Sequence, residues 1–305
     1  MQADAVFEGG GVKAIAFIGA VEEMEARGYK WEQLAGTSAG SLVAALLAAG
    51  YRSDELKPIF LKLNYLQFVQ NRGLSRIPLI GPSCRLLFKL GLHASDELER
   101  FIEQLLQKKG IRTFGELPAG KLRIIASDIT DGKMLVLPDD IAPFGIDPAA
   151  FSIAKAVRMS CSIPYFFQPV ILKKGNTIHY IVDGGALSNY PIWLFDVDGI
   201  PRWPTFGFRF SEQGPNPELL KRKGVIAYSK AIITTLLSAQ EQIYVKTANA
   251  VRTIFIPTLQ TKITHFSINE EEKQALYESG KQAVRRFFST WDFTAYCQQY
   301  RMPNK

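Results

Sequence analysis

The chain reads as an α/β protein with a mostly parallel central sheet covered by helices, and three observations carry that reading. Strand-like and helix-like segments alternate through the first fifty residues, the connections between them are tight, and glycines stand where segments end. Parallel strands need crossovers, and helices of this spacing supply them.

Taken in order, "DAVFEGGG" is a short strand running into a glycine loop. "VKAIAFIGAVEEMEARG" carries apolar residues at helical spacing, with Gly28 as its stop. "KWEQLAG" is a second short strand ending at Gly36, and "SLVAALLAAG" is an alanine- and leucine-rich helix that stops at Gly50. Residues 54 to 92 mix Phe, Leu, Ile and Tyr with Lys and Arg and are broken by Pro58, Pro78 and Pro82, so no regular element is assigned there. "ASDELERFIEQLLQKKG" is a helix with Ser95 as N-cap, acids in the first turn, lysines in the last and Gly110 beyond.

"KLRIIASDIT" and "GKMLVLP" form a strand pair around the turn at Asp131 and Gly132. "PAAFSIAKAVRMSCSIP" is a helix terminated by Pro164, "TIHYIVDGG" a strand that breaks into glycines, and "TFGFRF" and "RTIFIP" are buried-type strands. "NEEEKQALYESGKQAVRRFF" is a C-terminal helix. No repeat, low-complexity linker or composition break divides the chain, so a single domain over residues 1–305 is expected.

With 47% apolar and 21% charged residues the chain is globular, which excludes a disordered or fibrous class. The formal charge of +7 suits an anionic partner, either nucleic acid or an anionic membrane surface. The basic residues are not laid out with stacking aromatics as a nucleic-acid patch, so no nucleic-acid partner is expected. Cys84, Cys161 and Cys297 are far apart and form no metal or redox motif, which fits a reducing compartment. The start "MQADAVFEGGG" has no basic or apolar leader region, and the apolar stretches fall short of the roughly 18 residues a spanning helix needs. A cytoplasmic protein that touches a membrane from one side is the expectation.

The pentapeptide "GTSAG", residues 36 to 40, sits between a strand and a helix. G-x-S-x-G at such a junction is the pattern of a nucleophile elbow, because the sharp turn leaves no room for side chains beside the serine. Ser38 would equally serve as an ordinary helix N-cap. As a nucleophile it needs a base. His93, His179 and His265 are the chain's histidines, and His179 lies about 13 Å along its strand from Asp183, too far to touch. Asp183 stands at the carboxyl end of a strand and is followed by Gly184 and Gly185, where open parallel sheets place their sites. An ordinary D-G turn is the plainer alternative.

In "EGGGVK", Gly9, Gly10 and Gly11 expose backbone N–H groups between a strand and a helix, a cradle for an anion. In acyl transfer that anion is the oxyanion of a tetrahedral intermediate, and one such donor is worth about 3 to 4 kcal/mol of barrier lowering. Gly9, Gly11 and Ala14 also fit a dinucleotide fingerprint, but no acid stands at the end of the following strand to hold a ribose.

Together "EGGGVKAIAFIGAVEEMEARGY", "GTSAGSLVAALLAAG", "AVRMSCSIPYFFQPV" and "VDGGALSNYP" resemble the bacterial patatin-like phospholipases, in the family's order and over residues 8 to about 191. The resemblance implies a three-layer α/β/α patatin-like fold and a lipid acyl hydrolase with a Ser–Asp dyad. By position, Ser38 is then the nucleophile, Asp183 the base, and the Gly9–Gly11 backbone the oxyanion hole. Arg158 stands near where related lipid hydrolases hold a phosphate head group, or else is a helix-surface arginine. Ala14 departs from the family's usual glycine, and Lys13 is a common variant of its arginine.

The implied partner is a phospholipid or other acyl lipid. No metal or other cofactor is implied, and no D-x-[DN]-x-[DN]-G calcium loop is present. A lone carboxylate is a weak base at neutral pH unless the site is desolvated, so turnover is expected to rise when substrate is presented at an interface. Lys62, Arg72, Arg76, Arg85 and Lys89, interleaved with Phe60, Leu61, Leu66, Phe68, Leu86, Leu87 and Phe88, make residues 55–92 either a lid or membrane-facing insertion or a helical cap whose apolar side is core. The alternatives to a dyad enzyme are a hydrolase with a Ser38–Asp183–His265 triad and a lipid-binding module without turnover.

Overall fold

The structure is a computed structural model that describes residues 1–69, 90–211, 247–263 and 265–302. In chain order its elements are β1 (Gln2–Phe7), α1 (Ile15–Ala26), β2 (Lys30–Thr37), α2 (Ala39–Ala48), α3 (Ser53–Lys62), β3 (Gly91–His93) and α4 (Asp96–Lys108). There follow β4 (Leu122–Asp128), β5 (Lys133–Leu137), α5 (Ile153–Ser160), β6 (Tyr165–Phe167), β7 (Val170–Lys174) and β8 (Thr177–Asp183). The chain continues with β9 (Thr205–Ser211), α6 (Thr247–Ala250), β10 (Thr253–Pro257), α7 (Glu270–Phe287) and α8 (Phe293–Tyr300).

Eight strands form the main sheet, in the order β10-β9-β1-β2-β4-β8-β7 with β5 also on β4. From β10 to β4 every pairing is parallel, and β5, β7 and β8 add antiparallel pairings. The short strands β3 and β6 pair separately. α1, α2 and α4 all end on a left-handed glycine, at Gly28, Gly50 and Gly110, with the following N–H reaching back to Met24, Leu46 and Leu106. Glycine adopts that geometry without a Cβ clash, which is why it stops each helix.

The main core lies where Phe7 of β1 stacks on Phe208 of β9, with ring centroids 4.8 Å apart, beneath α1 and α7. Gly19 and Gly280 let those two helices touch, since a Cβ on either would overlap the backbone of the other helix at Tyr277 or Ala16. Strand alternation sends Val6 to the opposite face, where it packs with Ala35 and Phe195. The sheet is thus covered on both sides, as a mostly parallel sheet requires.

Four features differ from the sequence reading. Ser95 flanks α4 but gives it no side-chain cap, because its hydroxyl accepts a bond from Arg158 instead. "VILKK" is β7, joined to β8 by the two-residue turn Gly175-Asn176. β8 runs antiparallel to β4, so Asp183 does not share a parallel edge with Ser38 but approaches it head-on. Within residues 54–92, where no regular element is expected, α3 forms, and Phe60 and Phe68 are buried in the main core while Leu66 is exposed. Arg72, Arg76, Arg85, Leu86, Leu87, Phe88 and Lys89 lie outside the described residues.

Candidate active site

β4 brings the site together. Its Ile125 is paired with Thr37 at the end of β2, and its next residue, Ala126, with Asp183 at the end of β8. β5 occupies the other edge of β4, so β2 and β8 meet end to end along one edge. Ser38, the residue after Thr37, therefore lands beside Asp183. Its hydroxyl donates to Asp183 Oδ2 at 2.6 Å.

Ser38 has φ +51° and ψ −128°, a conformation that non-glycine residues rarely adopt. Such strain is expected at a strand-to-helix elbow. Gly36 and Gly40 make room for it: a Cβ on Gly36 would overlap the Gly40 backbone, and one on Gly40 would overlap the carbonyls of Phe7 and Glu8 in the neighbouring strand. The Ser38 N–H donates to Ser160 Oγ at 2.8 Å, and Ser160 in turn donates to the Ile125 carbonyl. Ser160 thus ties the elbow to β4 through the end of α5.

Asp183 is buried, and its carboxylate accepts two bonds, from Ser38 and from the Gly185 N–H at 2.8 Å. Burial is the larger influence and lifts its pKa from 3.8 to about 6, against the pull of both hydrogen bonds. Gly184 is required next to it because a Cβ there would overlap the Ile125 carbonyl. Burial and the neighbouring Asp183 charge push the Cys161 thiol well above its ordinary value, so it stays protonated beside the serine.

The glycine loop closes over the same end. Gly9 donates its N–H to the Asn189 carbonyl at 3.2 Å, so three available donors reduce to two. The N–H groups of Gly10 and Gly11 have no hydrogen-bond partner among the described residues. Asn189 and Ser38 flank Gly9 so closely that a Cβ there would overlap the Asn189 side chain. Glu8, just before the loop, is buried, accepts from the Phe210 N–H at 2.7 Å and forms an ion pair with Arg209 at 3.4 Å. Ser160, Asn189 and Glu8 were not singled out in the sequence. "SNYP" and "MSCS" held the first two within quoted blocks, but only the tertiary contacts give them a task.

Arg158 has two carboxylate partners in the structure. Its Nη1 pairs with Asp96 and Glu99, each at 2.7 Å, and its Nε donates to Ser95 at 2.9 Å. A guanidinium already neutralised by two carboxylates has little left for a phosphate, and its work is to fasten α5 to the start of α4. The histidines have other neighbours. His179 is buried against Asp128 at 2.7 Å, His93 packs on Phe166, and His265 is 39% exposed with Glu272 at 4.0 Å.

A family model described as patatin-like phospholipase matches residues 5–196, well over half of the chain. The chain belongs to the patatin-like phospholipase family. It is 38% identical over 294 residues to the Bacillus subtilis (strain 168) protein YqhO, covering 96% of this chain and all of that one. A cUMP-AMP-activated phospholipase of Escherichia coli is 26% identical, with 60% of this chain and 54% of that one aligned. A probable lipid hydrolase of invertebrate iridescent virus 6 is 28% identical over 61% of each.

Two solved structures share the three-layer α/β/α fold of this family member. VipD of Legionella pneumophila has a TM-score of 0.57 at 17% identity, over 95% of this chain and 67% of VipD. The type III effector ExoU has a TM-score of 0.52 at 16% identity, over 99% of this chain and 54% of ExoU. At these identities the likeness is one of fold. Among the described residues no helix is long and apolar enough to cross a membrane.

Proposed function

We propose that this chain hydrolyses carboxylic esters of phospholipids or other acyl lipids with Ser38 as nucleophile and Asp183 as its base. The observation that carries the reading is the 2.6 Å bond between Ser38 Oγ and Asp183 Oδ2 at a strained, glycine-lined elbow. Asp183 takes the hydroxyl proton as Oγ attacks the ester carbonyl carbon, and the carbonyl electron pair moves onto its oxygen. The N–H groups of Gly10 and Gly11 receive that oxyanion, while Gly9 is spent on holding the loop.

The intermediate collapses, the carbon–oxygen bond to the glycerol side breaks, and the departing oxygen collects the proton from Asp183. Water then attacks the acyl-serine. Asp183 accepts a proton of that water, the second intermediate collapses with cleavage of the bond to Ser38 Oγ, the acid leaves, and Asp183 passes the water-derived proton to Ser38 Oγ. A pKa of about 6 suits both halves, since the group is ionised at neutral pH yet close enough to hold a proton briefly.

A histidine triad has less support. Asp183 contacts Ser38 directly, which leaves no gap for an imidazole, and His265 sits beside Glu272. The test is hydrolysis of a soluble p-nitrophenyl ester and of phospholipid in mixed micelles by the parent, Ser38→Ala, Asp183→Asn and His265→Ala. The dyad reading expects the first two variants to be inactive on both substrates and the third to match the parent. A fully inactive parent would instead favour the lipid-binding module, and a Ser38→Ala variant as active as the parent would overturn Ser38 as the nucleophile.

A further inference from the structure

Topology gives the β7–β8 hairpin an unusual position. β8 runs toward Ser38 and ends there, so its beginning lies beyond the carboxyl ends of the parallel strands, on the side of the elbow. From Asp183 back to Thr177 is six residue steps, about 20 Å of extended chain. The hairpin therefore projects past the end of the sheet that carries the candidate site.

Its two faces differ. Val170, Leu172, His179 and Ile181 point inward and are buried. On the other face Ile171 lies across from Tyr180, and Lys173 across from Ile178. Ile171 is 56% exposed and Ile178 47%, high values for residues that sheets normally bury. Continuing the β4–β8 register puts Ile129 opposite Tyr180, to whose carbonyl its N–H donates at 3.1 Å, and Ile129 is 55% exposed. Three exposed isoleucines thus share one face of adjoining strands, with Tyr180 between Ile129 and Ile171 and Ile178 one pair further along. Lys173 lies on this face, and Lys174, paired with Thr177, lies on the opposite one at the exposed end of the hairpin; residues 170 to 180 contain no acid, while the exposed Asp131 follows Ile129 by two residues.

We infer that this face, Ile129, Ile171 and Ile178 with Lys173 on it and Lys174 beside it at the exposed hairpin end, is the surface by which the protein docks on an anionic lipid bilayer. The isoleucines suit the acyl boundary and the lysines the phosphate layer, so charge and polarity both match that occupant. The location gives the docking a purpose, since a bilayer held there faces the end of the sheet at which Ser38 opens. That purpose rests on the lipid-hydrolase reading, whereas the binding itself does not.

The experiment is vesicle flotation of the full chain with phosphatidylcholine vesicles, with and without phosphatidylglycerol. The parent is expected to float with the anionic vesicles only. Lys173→Gln/Lys174→Gln should lower partitioning about 30-fold, at about fivefold per lysine. Ile171→Asn/Ile178→Asn should lower it roughly tenfold or more. Unchanged hydrolysis of the soluble ester, together with a cooperative melt by circular dichroism, shows that the variants fold.

A parent that stays at the bottom of the gradient overturns the inference, as do variants that float like the parent. Light scattering supplies the remaining outcome: a parent dimer that Ile171→Asn/Ile178→Asn dissociates, without change in flotation, makes this face a contact between copies of the chain. A parent that binds vesicles but cleaves no ester would overturn the catalytic reading and leave this surface standing.

Discussion

Replacing Asp183 by asparagine tests the dyad through stability as well as rate. The carboxylate is buried, and its pKa rises from 3.8 to about 6 because desolvation outweighs the bonds from Ser38 and Gly185. A folded-state value above the unfolded one means that the folded protein binds this proton more tightly. Stability from this group is therefore greatest below pH 4, declines as pH rises through the interval from about 4 to about 6, and stays lower at neutral pH. A shift of about two units corresponds to about 3 kcal/mol, an order-of-magnitude figure. Asparagine cannot ionise, so Asp183→Asn is expected to be more stable than the parent by about 1 to 3 kcal/mol at pH 8 and equal to it near pH 4.

Two assays read this. Urea denaturation at pH 4, 6 and 8 gives the stability difference, and kcat/KM on a soluble ester between pH 5 and 8 gives the working pKa. If ionised Asp183 is the base, activity at pH 5 falls to about a tenth of its plateau, whereas an unshifted carboxylate would keep about nine tenths. The variant would thus gain stability where it loses activity, as expected when a fold tolerates a costly group for its chemistry. A flat rate profile from pH 5 to 8, or an asparagine variant less stable than the parent at pH 8, would refute the reasoning.

Three further outcomes follow from the same contacts. Gly40→Ala drives a methyl group into the β1 carbonyls of Phe7 and Glu8, which cannot swing aside, and is expected to destabilise by roughly 1 to 3 kcal/mol in urea denaturation with loss of ester hydrolysis. Ser160→Ala strands the buried Ser38 N–H, at about 1 to 3 kcal/mol in the same assay, and should lower kcat more than it raises KM. Arg158→Ala removes a partly exposed cluster with Asp96 and Glu99, so about 1 kcal/mol of stability is at stake. Its kcat/KM on phospholipid should match the parent's, and a loss confined to phospholipid would restore the head-group role.

Local chemistry made much of this fold legible. Helices α1, α2 and α4 end at Gly28, Gly50 and Gly110 because only the left-handed conformation closes them there, and a lone glycine after a helical period is visible in sequence. β4 and β5 were legible as a hairpin for the same reason, a polar turn between two apolar runs. β3 and β6 are three residues each, too short for any period to register. β7 was missed although Gly175-Asn176 is a two-residue hairpin signal, because its lysines interrupted the apolar run. Composition leaves the lid and the cap readings of residues 55–92 both open, because it cannot tell Phe60 in the core from Leu66 at the surface.

The site divides along the same line. Ser38 and the glycines around it announce themselves because backbone crowding demands small residues in a fixed local order. What makes Asp183 its neighbour is not local at all. It depends on β4 pairing with β2 through Ile125 and with β8 from Ala126 onward, so that a parallel and an antiparallel strand end at the same point. Strand direction is set by long-range pairing and leaves no period in the sequence, which is why the carboxylate could be named while its approach could not. The same geometry explains the absence of a histidine between the pair. An end-to-end meeting of two strands brings the hydroxyl and the carboxylate to 2.6 Å, and an imidazole would need several ångströms more. A base that touches the serine directly, as proposed for Asp183, would take its basicity from burial, and the rise of its pKa to about 6 comes from that source.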